Sequence, residues 1–146
     1  MTAENRVLDL IRDGGDPAEL EKLFGELAPV PAASMLGTWE GGVFDQADAM
    51  AARLVKMRWY GKRFHDAETV DPLLCRTSDG AIHAYDGMGA ARLREISYRG
   101  AVSAAMVYDT QPIIDHFRRV SDTVVLGAMD AKGQKDTLYF HLTRVP

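Results

Sequence analysis

Apolar residues recur along this chain with two periods, a helical one near its beginning and an alternating one over most of the remainder. The helical spacing is carried by Leu20, Leu23, Phe24 and Leu27. The preceding Asp16-Pro17-Ala18-Glu19 is typical of a helix start, because Asp16 can cap the first amides and Pro17 suits the first helical position. A further group of apolar residues follows Thr2, which can cap an earlier helix. Together the two patterns predict a helical segment over residues 1–31.

The alternating period begins near residue 71 and indicates a succession of β-strands. Turns rich in glycine, aspartate and serine separate six strand candidates: Leu73–Arg76, Ala81–Tyr85, Ala91–Arg99, Val102–Asp109, Thr123–Met129 and Thr137–Val145. The segment Pro112–Val120 fits either a helical face or a strand, and the turn Ser121-Asp122 after it favours the strand. Several short strands at this spacing predict a small antiparallel barrel.

An earlier strand candidate, Met35–Phe44, places a tryptophan between two glycines. Because side chains of a strand alternate, Gly37, Trp39 and Gly41 point to one face. The two empty positions leave room for the indole to lie flat along the sheet, and glycine in a strand is typical of tight curvature. We therefore expect this strand to open a closed barrel, with Trp39 as a wall or plug of its cavity.

A helix inserted near residues 46–57 is expected after this strand. Asp45 is the predicted cap, and Gly61 lies where a C-terminal cap could form. The whole pattern predicts one mainly β domain of the α+β class over residues 1–146. Its barrel occupies residues 32–146, and the N-terminal helices pack outside it or across one end.

Composition excludes several classes of partner. The net charge is −4 and no strongly basic tract is present, which disfavours nucleic acid. No apolar run approaches the ~20 residues that span a bilayer, and the polar N-terminus does not resemble a signal peptide. We expect a cytoplasmic protein without a membrane partner. Cys75 has no disulfide partner and no cluster has zinc spacing, so we expect neither a metal nor a cofactor, and we leave a homodimer open.

Four segments, taken in order, resemble a known family. They are Gly37–Gly41, Trp59–Phe64, Tyr108–Arg118 and Gly127–Gly133. The first two resemble the GXWXG family, and the last two resemble the small domain of unknown function that usually follows it. The resemblance covers about residues 20–146. It implies a lipocalin-like β-barrel, of which the two domains form halves, and it implies no particular activity.

Candidate catalytic residues fall in two places. Asp115 and His116 set a carboxylate beside an imidazole, a pair suited to proton transfer near neutral pH. Neighbours in a strand face opposite sides, so only one of the two can enter a cavity. Tyr60, Lys62 and Arg63 could hold a carboxylate or stabilise an oxyanion, although cations here can equally extend into water over apolar surface.

Candidate ligand-binding residues are more scattered. Asp109 and Asp130 end predicted strands at the mouth of the barrel, where they could face a ligand or simply form turns. His83 and Tyr85 share one face of their strand, and Met129 would give a soft apolar lining. Trp39 completes this set as the wall or plug of the cavity.

A more distant resemblance concerns haem. Nitrobindin-like barrels also open on a Gly-x-Trp-x-Gly strand and carry a histidine ligand in the last strand. The resemblance implies His141, between Phe140 and Leu142, as the corresponding ligand.

Three functional hypotheses follow. The first is binding of a small apolar or amphipathic molecule inside the barrel. The second is a cofactor-independent isomerase, lyase or cyclase that acts on a terpenoid- or polyketide-like substrate by acid–base catalysis. The third, which rests only on the distant resemblance, is haem binding through His141.

Overall fold

The computed structural model describes residues 1–44 and 47–146. Its helices are α1 (Ala3–Asp13), α2 (Pro17–Glu26) and α3 (Ala49–Lys56), and a short 3-10 helix spans Ala32–Met35. As predicted, Thr2 and Asp16 cap the first two helices. The carboxylate of Asp48 caps α3, and the predicted cap Asp45 lies outside the described residues. Among the described helices, none is long and apolar enough to cross a membrane.

The remainder of the chain forms ten described strands. They are β1 (Ala28–Pro29), β2 (Gly37–Val43), β3 (Trp59–Phe64), β4 (Val70–Arg76), β5 (Ile82–Ala84), β6 (Ala91–Tyr98), β7 (Ala101–Tyr108), β8 (Ile113–Arg119), β9 (Val124–Ala131) and β10 (Leu138–Arg144). Within these residues, eight strands close into a ring in the order β8-β7-β6-β4-β3-β2-β10-β9, with β9 pairing again with β8. β1 adds to β8, and β5 adds to β4. The predicted antiparallel barrel is confirmed.

The segment that the sequence left between helix and strand is β8. Its backbone pairs with β7 on one side and with β9 on the other, so the preference for a strand was correct. The prediction that Gly61 caps the inserted helix was wrong, because α3 ends at Lys56 and Arg58 turns the chain with a φ of 57°. Gly61 therefore lies inside β3 and caps no helix.

The glycines of β2 make room for neighbours other than Trp39. A Cβ on Gly41 would lie 2.3 Å from the ring of Trp59, so this second indole occupies the empty position. The Trp39 ring instead lies deep in the core, where its Nε1 donates to the carbonyl of Met35 at 2.8 Å. The guanidinium of Arg144 lies 4.3 Å from its centroid. The expectation that Trp39 lies over its flanking glycines is thus corrected.

Two apolar cores lie on the two sides of the barrel wall. The interior core contains Trp39, Phe64, Phe117 and Phe140. The outer core joins α1 and α2, through residues such as Phe24, to the outward side chains of β9 and β10. The two N-terminal helices therefore pack outside the barrel, and its interior is filled by the strands, α3 and the 3-10 helix.

Gly61 gives a test of this packing. Its Cβ position lies 1.8 Å from the backbone oxygen of Trp39 on β2, so Gly61→Ala must push β2 and β3 apart. We expect the free energy of unfolding in urea to fall by about 3 kcal/mol or more. In the matched control Gly25→Ala, the described residues leave the Cβ position on α2 open, and stability should rise by up to about 1 kcal/mol. A Gly61→Ala protein as stable as wild type would contradict the described contact between β2 and β3.

Candidate functional site

One cavity enters the barrel interior beneath α3. Its volume is about 30 Å³. The apolar lining consists of Met50, Leu54, Trp59, Leu73, Met88, Met129, Leu138 and Phe140. Met50, Leu54 and Met88 are only partly buried, so the cavity reaches the surface at this end. The volume suits one or two waters and lies well below the roughly 300 Å³ at which small-molecule pockets begin.

A buried ion pair crosses this cavity. Lys62 Nζ lies 3.1 Å from Asp115 Oδ2, and the side chain of each residue is only 3% exposed. Lys62 Nζ also donates to the carbonyl of Pro72 at 3.0 Å. Lys62 is on β3 and Asp115 on β8, four places apart in the ring of eight strands. The pair therefore joins opposite walls of the barrel.

Aromatic rings surround the ammonium group. Lys62 Nζ lies 5.6 Å from the ring centroid of Trp59 and 5.3 Å from that of Phe140. Both rings are seated over glycines, because a Cβ on Gly41 or Gly127 would lie 2.3 Å from Trp59 or Phe140, respectively. A cation facing aromatic rings in a desolvated site gains favourable electrostatic energy. The glycines of β2 and β9 thus help to stabilise a buried charge.

Only one of the two carboxylate oxygens of Asp115 has a partner among the described residues. Oδ2 faces Lys62, whereas buried Oδ1 has no hydrogen-bond partner among the described residues. Burial raises the pKa of Asp115, and Lys62 partly offsets that rise. Tyr108 lines the same cavity, and burial, with a smaller contribution from the charge of Asp115, raises the pKa of its phenol well above the usual value. The cavity lining therefore includes a carboxylate with one unpaired oxygen and a neutral phenol.

His116 faces away from the cavity. As the alternation of β8 requires, its ring points to the outside of the barrel, where it stacks on Tyr98 with centroids 3.7 Å apart. Its Nε2 lies 3.5 Å from Asp130 Oδ2, longer than an ordinary hydrogen bond. Burial lowers the pKa of His116. The structure thus separates Asp115 and His116, and of the two only Asp115 reaches the interior.

Tyr60 and Arg63 are also separated from the cavity that Lys62 enters. Arg63 follows the inward Lys62, so it faces out, where its Nε donates to Thr38 Oγ1 at 3.2 Å. The guanidinium of Arg76 lies 4.8 Å from the ring centroid of Tyr60. The expected cluster of three residues is corrected to Lys62 alone.

Of the predicted ligand-binding residues, only Met129 lines the cavity. Asp109 pairs with Arg92 at 2.6 Å, and Asp130 is outward and half exposed. His83 and Tyr85 are exposed, because β5 lies outside the closed ring and pairs only with β4. With Trp39 fixed against Met35, these five residues do not face the cavity.

His141 does not fit a haem ligand. It alternates outward on β10, so its ring lies on the outer face of the wall. A Cβ on Gly42 would lie 2.5 Å from its Cε1, and Phe44 packs edge-on at a centroid distance of 5.0 Å. Burial lowers the pKa of His141 to about 4. His141 does not face the interior cavity, and that cavity, at about 30 Å³, has no room for a porphyrin.

Sequence reasoning missed most side chains of the cavity, among them Trp59 and Tyr108. The alternation of Ala104, Met106 and Tyr108 on β7 places all three on one face and could have indicated Tyr108. Trp59 could be placed only once residues 59–64 were known to form a strand. The described residues contain no group of three His, Cys, Asp or Glu side chains suited to a metal.

The comparisons with known proteins agree with the two halves described from the sequence. A family model for GXWXG protein matches residues 22–80, and one for Domain of unknown function (DUF4334) matches residues 89–144. No curated protein matches the chain. Among solved structures, the chain is similar to the crystal structure of a protein from Thermomonospora curvata, with 59% identity, 100% coverage of both chains and a TM-score of 0.96.

Proposed function

We propose that the barrel of this chain binds a small apolar or amphipathic molecule. The chain belongs to the family in which a GXWXG region precedes Domain of unknown function (DUF4334). The observation that carries this proposal is Asp115 Oδ1, a buried acceptor without a partner among the described residues, in a cavity whose lining is apolar apart from Asp115, Lys62 and Tyr108. An apolar lining with one or two convergent polar groups is the usual composition of a ligand site. A ligand donor would pair with this oxygen in place of the one or two waters that the cavity can hold.

Entry of a ligand requires the mouth of the cavity to widen. The present volume of about 30 Å³ excludes anything much larger than water. Met50, Leu54 and Met88 stand at the mouth and are partly exposed, so they can move without disturbing the strands. Methionine side chains are unbranched and adapt readily to different shapes. We therefore infer that ligand binding displaces these side chains and α3 while the ring of strands stays fixed.

Leu54 on α3 gives a direct test, with 1-octanol as the probe. We expect octanol to raise the melting temperature of the wild type and to bind measurably by calorimetry. Leu54→Trp should weaken binding at least about tenfold, because the larger ring fills the mouth of the cavity. The matched control is Val55→Trp, since Val55 is 50% exposed on the same helix and does not line the cavity. The proposal fails if octanol does not bind the wild type, or if Leu54→Trp binds it as well as Val55→Trp.

A cofactor-independent isomerase or lyase is the second candidate function, and one observation favours it. Burial raises the pKa of the Asp115 carboxyl group, which makes its carboxylate a stronger general base. Tyr108 lines the same cavity, and its phenol could stabilise a developing oxyanion. A terpenoid- or polyketide-like carbonyl compound would suit this chemistry, with Asp115 removing a proton next to the carbonyl and returning it elsewhere.

Proton exchange tests this second candidate. In D₂O, NMR should show two outcomes of proton removal from C2 of 3-cyclohexenone: deuterium returned to C2 as exchange, and deuterium delivered to C4 as the compound isomerises to 2-cyclohexenone. Asp115→Asn should slow both by about a hundredfold or more. Asp122→Asn is the matched control, because Asp122 is exposed in the β8–β9 turn and lies outside the cavity. Equal rates in the two variants, or rates no higher than in buffer, would rule out Asp115 as a base for this substrate.

A further inference from the structure

The positive charge of the cavity is already neutralised by the protein. Lys62 Nζ lies 3.1 Å from one oxygen of Asp115 and 3.0 Å from the carbonyl of Pro72. The rings of Trp59 and Phe140 face the same ammonium group. Because these neighbours surround Lys62, it offers no free cation to an anionic ligand. The pair as a whole is electrically neutral.

The group that the pair leaves for a ligand is an acceptor. Asp115 Oδ1 is buried and has no hydrogen-bond partner among the described residues. An ionised carboxylate only accepts hydrogen bonds, so the complementary ligand group is an O–H or N–H donor. Tyr108, the other polar residue of the lining, carries a neutral phenol and brings no positive charge. A ligand carboxylate would face Asp115 Oδ1 at close range in a poorly hydrated cavity, where like charges repel strongly.

We propose that the cavity selects neutral amphipathic molecules that carry a hydroxyl or amine donor and rejects fatty acids, because Asp115 neutralises Lys62 and presents its second oxygen to the ligand. This inference rests on the proposed binding function and names the ligand class for the same cavity. A lysine alone inside an apolar barrel would favour a ligand carboxylate. Asp115 on the opposite strand reverses that preference, because it neutralises the ammonium group.

Three probes of similar length test the selection: 1-octanol, which donates a hydrogen bond, 1-methoxyheptane, which only accepts one, and octanoate, which is an anion. In wild-type protein at pH 7.5, calorimetry should give the tightest binding for octanol. The ether should bind about tenfold more weakly, because Asp115 Oδ1 stays unpaired. Octanoate should bind about a hundredfold more weakly than octanol. This ranking needs no variant and therefore tests the proposal even if variants fold poorly.

Asp115→Asn then tests the cause of the selection. The substitution removes the negative charge and leaves Lys62 unpaired, so octanoate should become the preferred probe. Asp122→Asn, a substitution of the same kind at an exposed turn, should keep the wild-type ranking. A folded Asp115→Asn protein that still rejects octanoate would overturn the role of Asp115.

The binding results for the wild-type protein distinguish a failure of the ligand selection from a failure of the proposed binding function. Octanoate binding as tightly as octanol overturns the selection and leaves the binding function in place. An ether that binds as tightly as octanol overturns the requirement for a donor. Failure of all three probes to bind overturns the proposed function, and this inference with it.

Discussion

The ion pair between Lys62 and Asp115 is the interaction on which the interior of this barrel depends. Two charges removed from water are stabilised only if each finds a partner, and here the partners come from strands on opposite sides of the ring. The pair constrains how β3 and β8 face each other across the core. It also makes the cavity neutral overall and leaves one carboxylate oxygen available, which sets the kind of ligand that we propose.

The glycines of the chain acquire a specific role in this account. Gly41, the last residue of the Gly-x-Trp-x-Gly motif, makes room for the ring of Trp59, and Gly127 makes room for Phe140. These are the two rings that face the Lys62 ammonium group. The motif therefore contributes to the cavity by making room for a ring of the neighbouring strand β3. Its own Trp39 fills another part of the interior, where the Arg144 guanidinium packs against the indole.

Most of the fold could be predicted from the sequence, because turn residues separate the short apolar segments that form the strands from β6 to β10. β3 was missed because its apolar pattern is interrupted by Lys62, and a lysine is expected at the surface. Its pairing with β4 is also irregular on both sides of Gly61, which weakens any strict period of two. Alternation likewise established that Asp115 and His116 face opposite sides, but only the packing of α2 against the outside of the barrel decides which side is inward. Site residues that depend on such choices, among them Tyr60, Asp109 and His83, could not be placed from the sequence.

The stability of Lys62→Met as a function of pH tests the central claim most directly. Without its cation, Asp115 is a lone buried carboxyl group, and burial should raise its folded pKa further above the roughly 3.9 of the unfolded chain. A group whose folded pKa is raised stabilises the fold below its unfolded pKa and loses that contribution as the pH rises through the folded pKa. Urea unfolding of Lys62→Met should therefore show the smallest loss relative to wild type near pH 4 and a loss of about 3–5 kcal/mol at pH 7.5. A loss below about 1 kcal/mol at pH 7.5, or one that does not change with pH, would contradict a buried ion pair as the centre of this barrel.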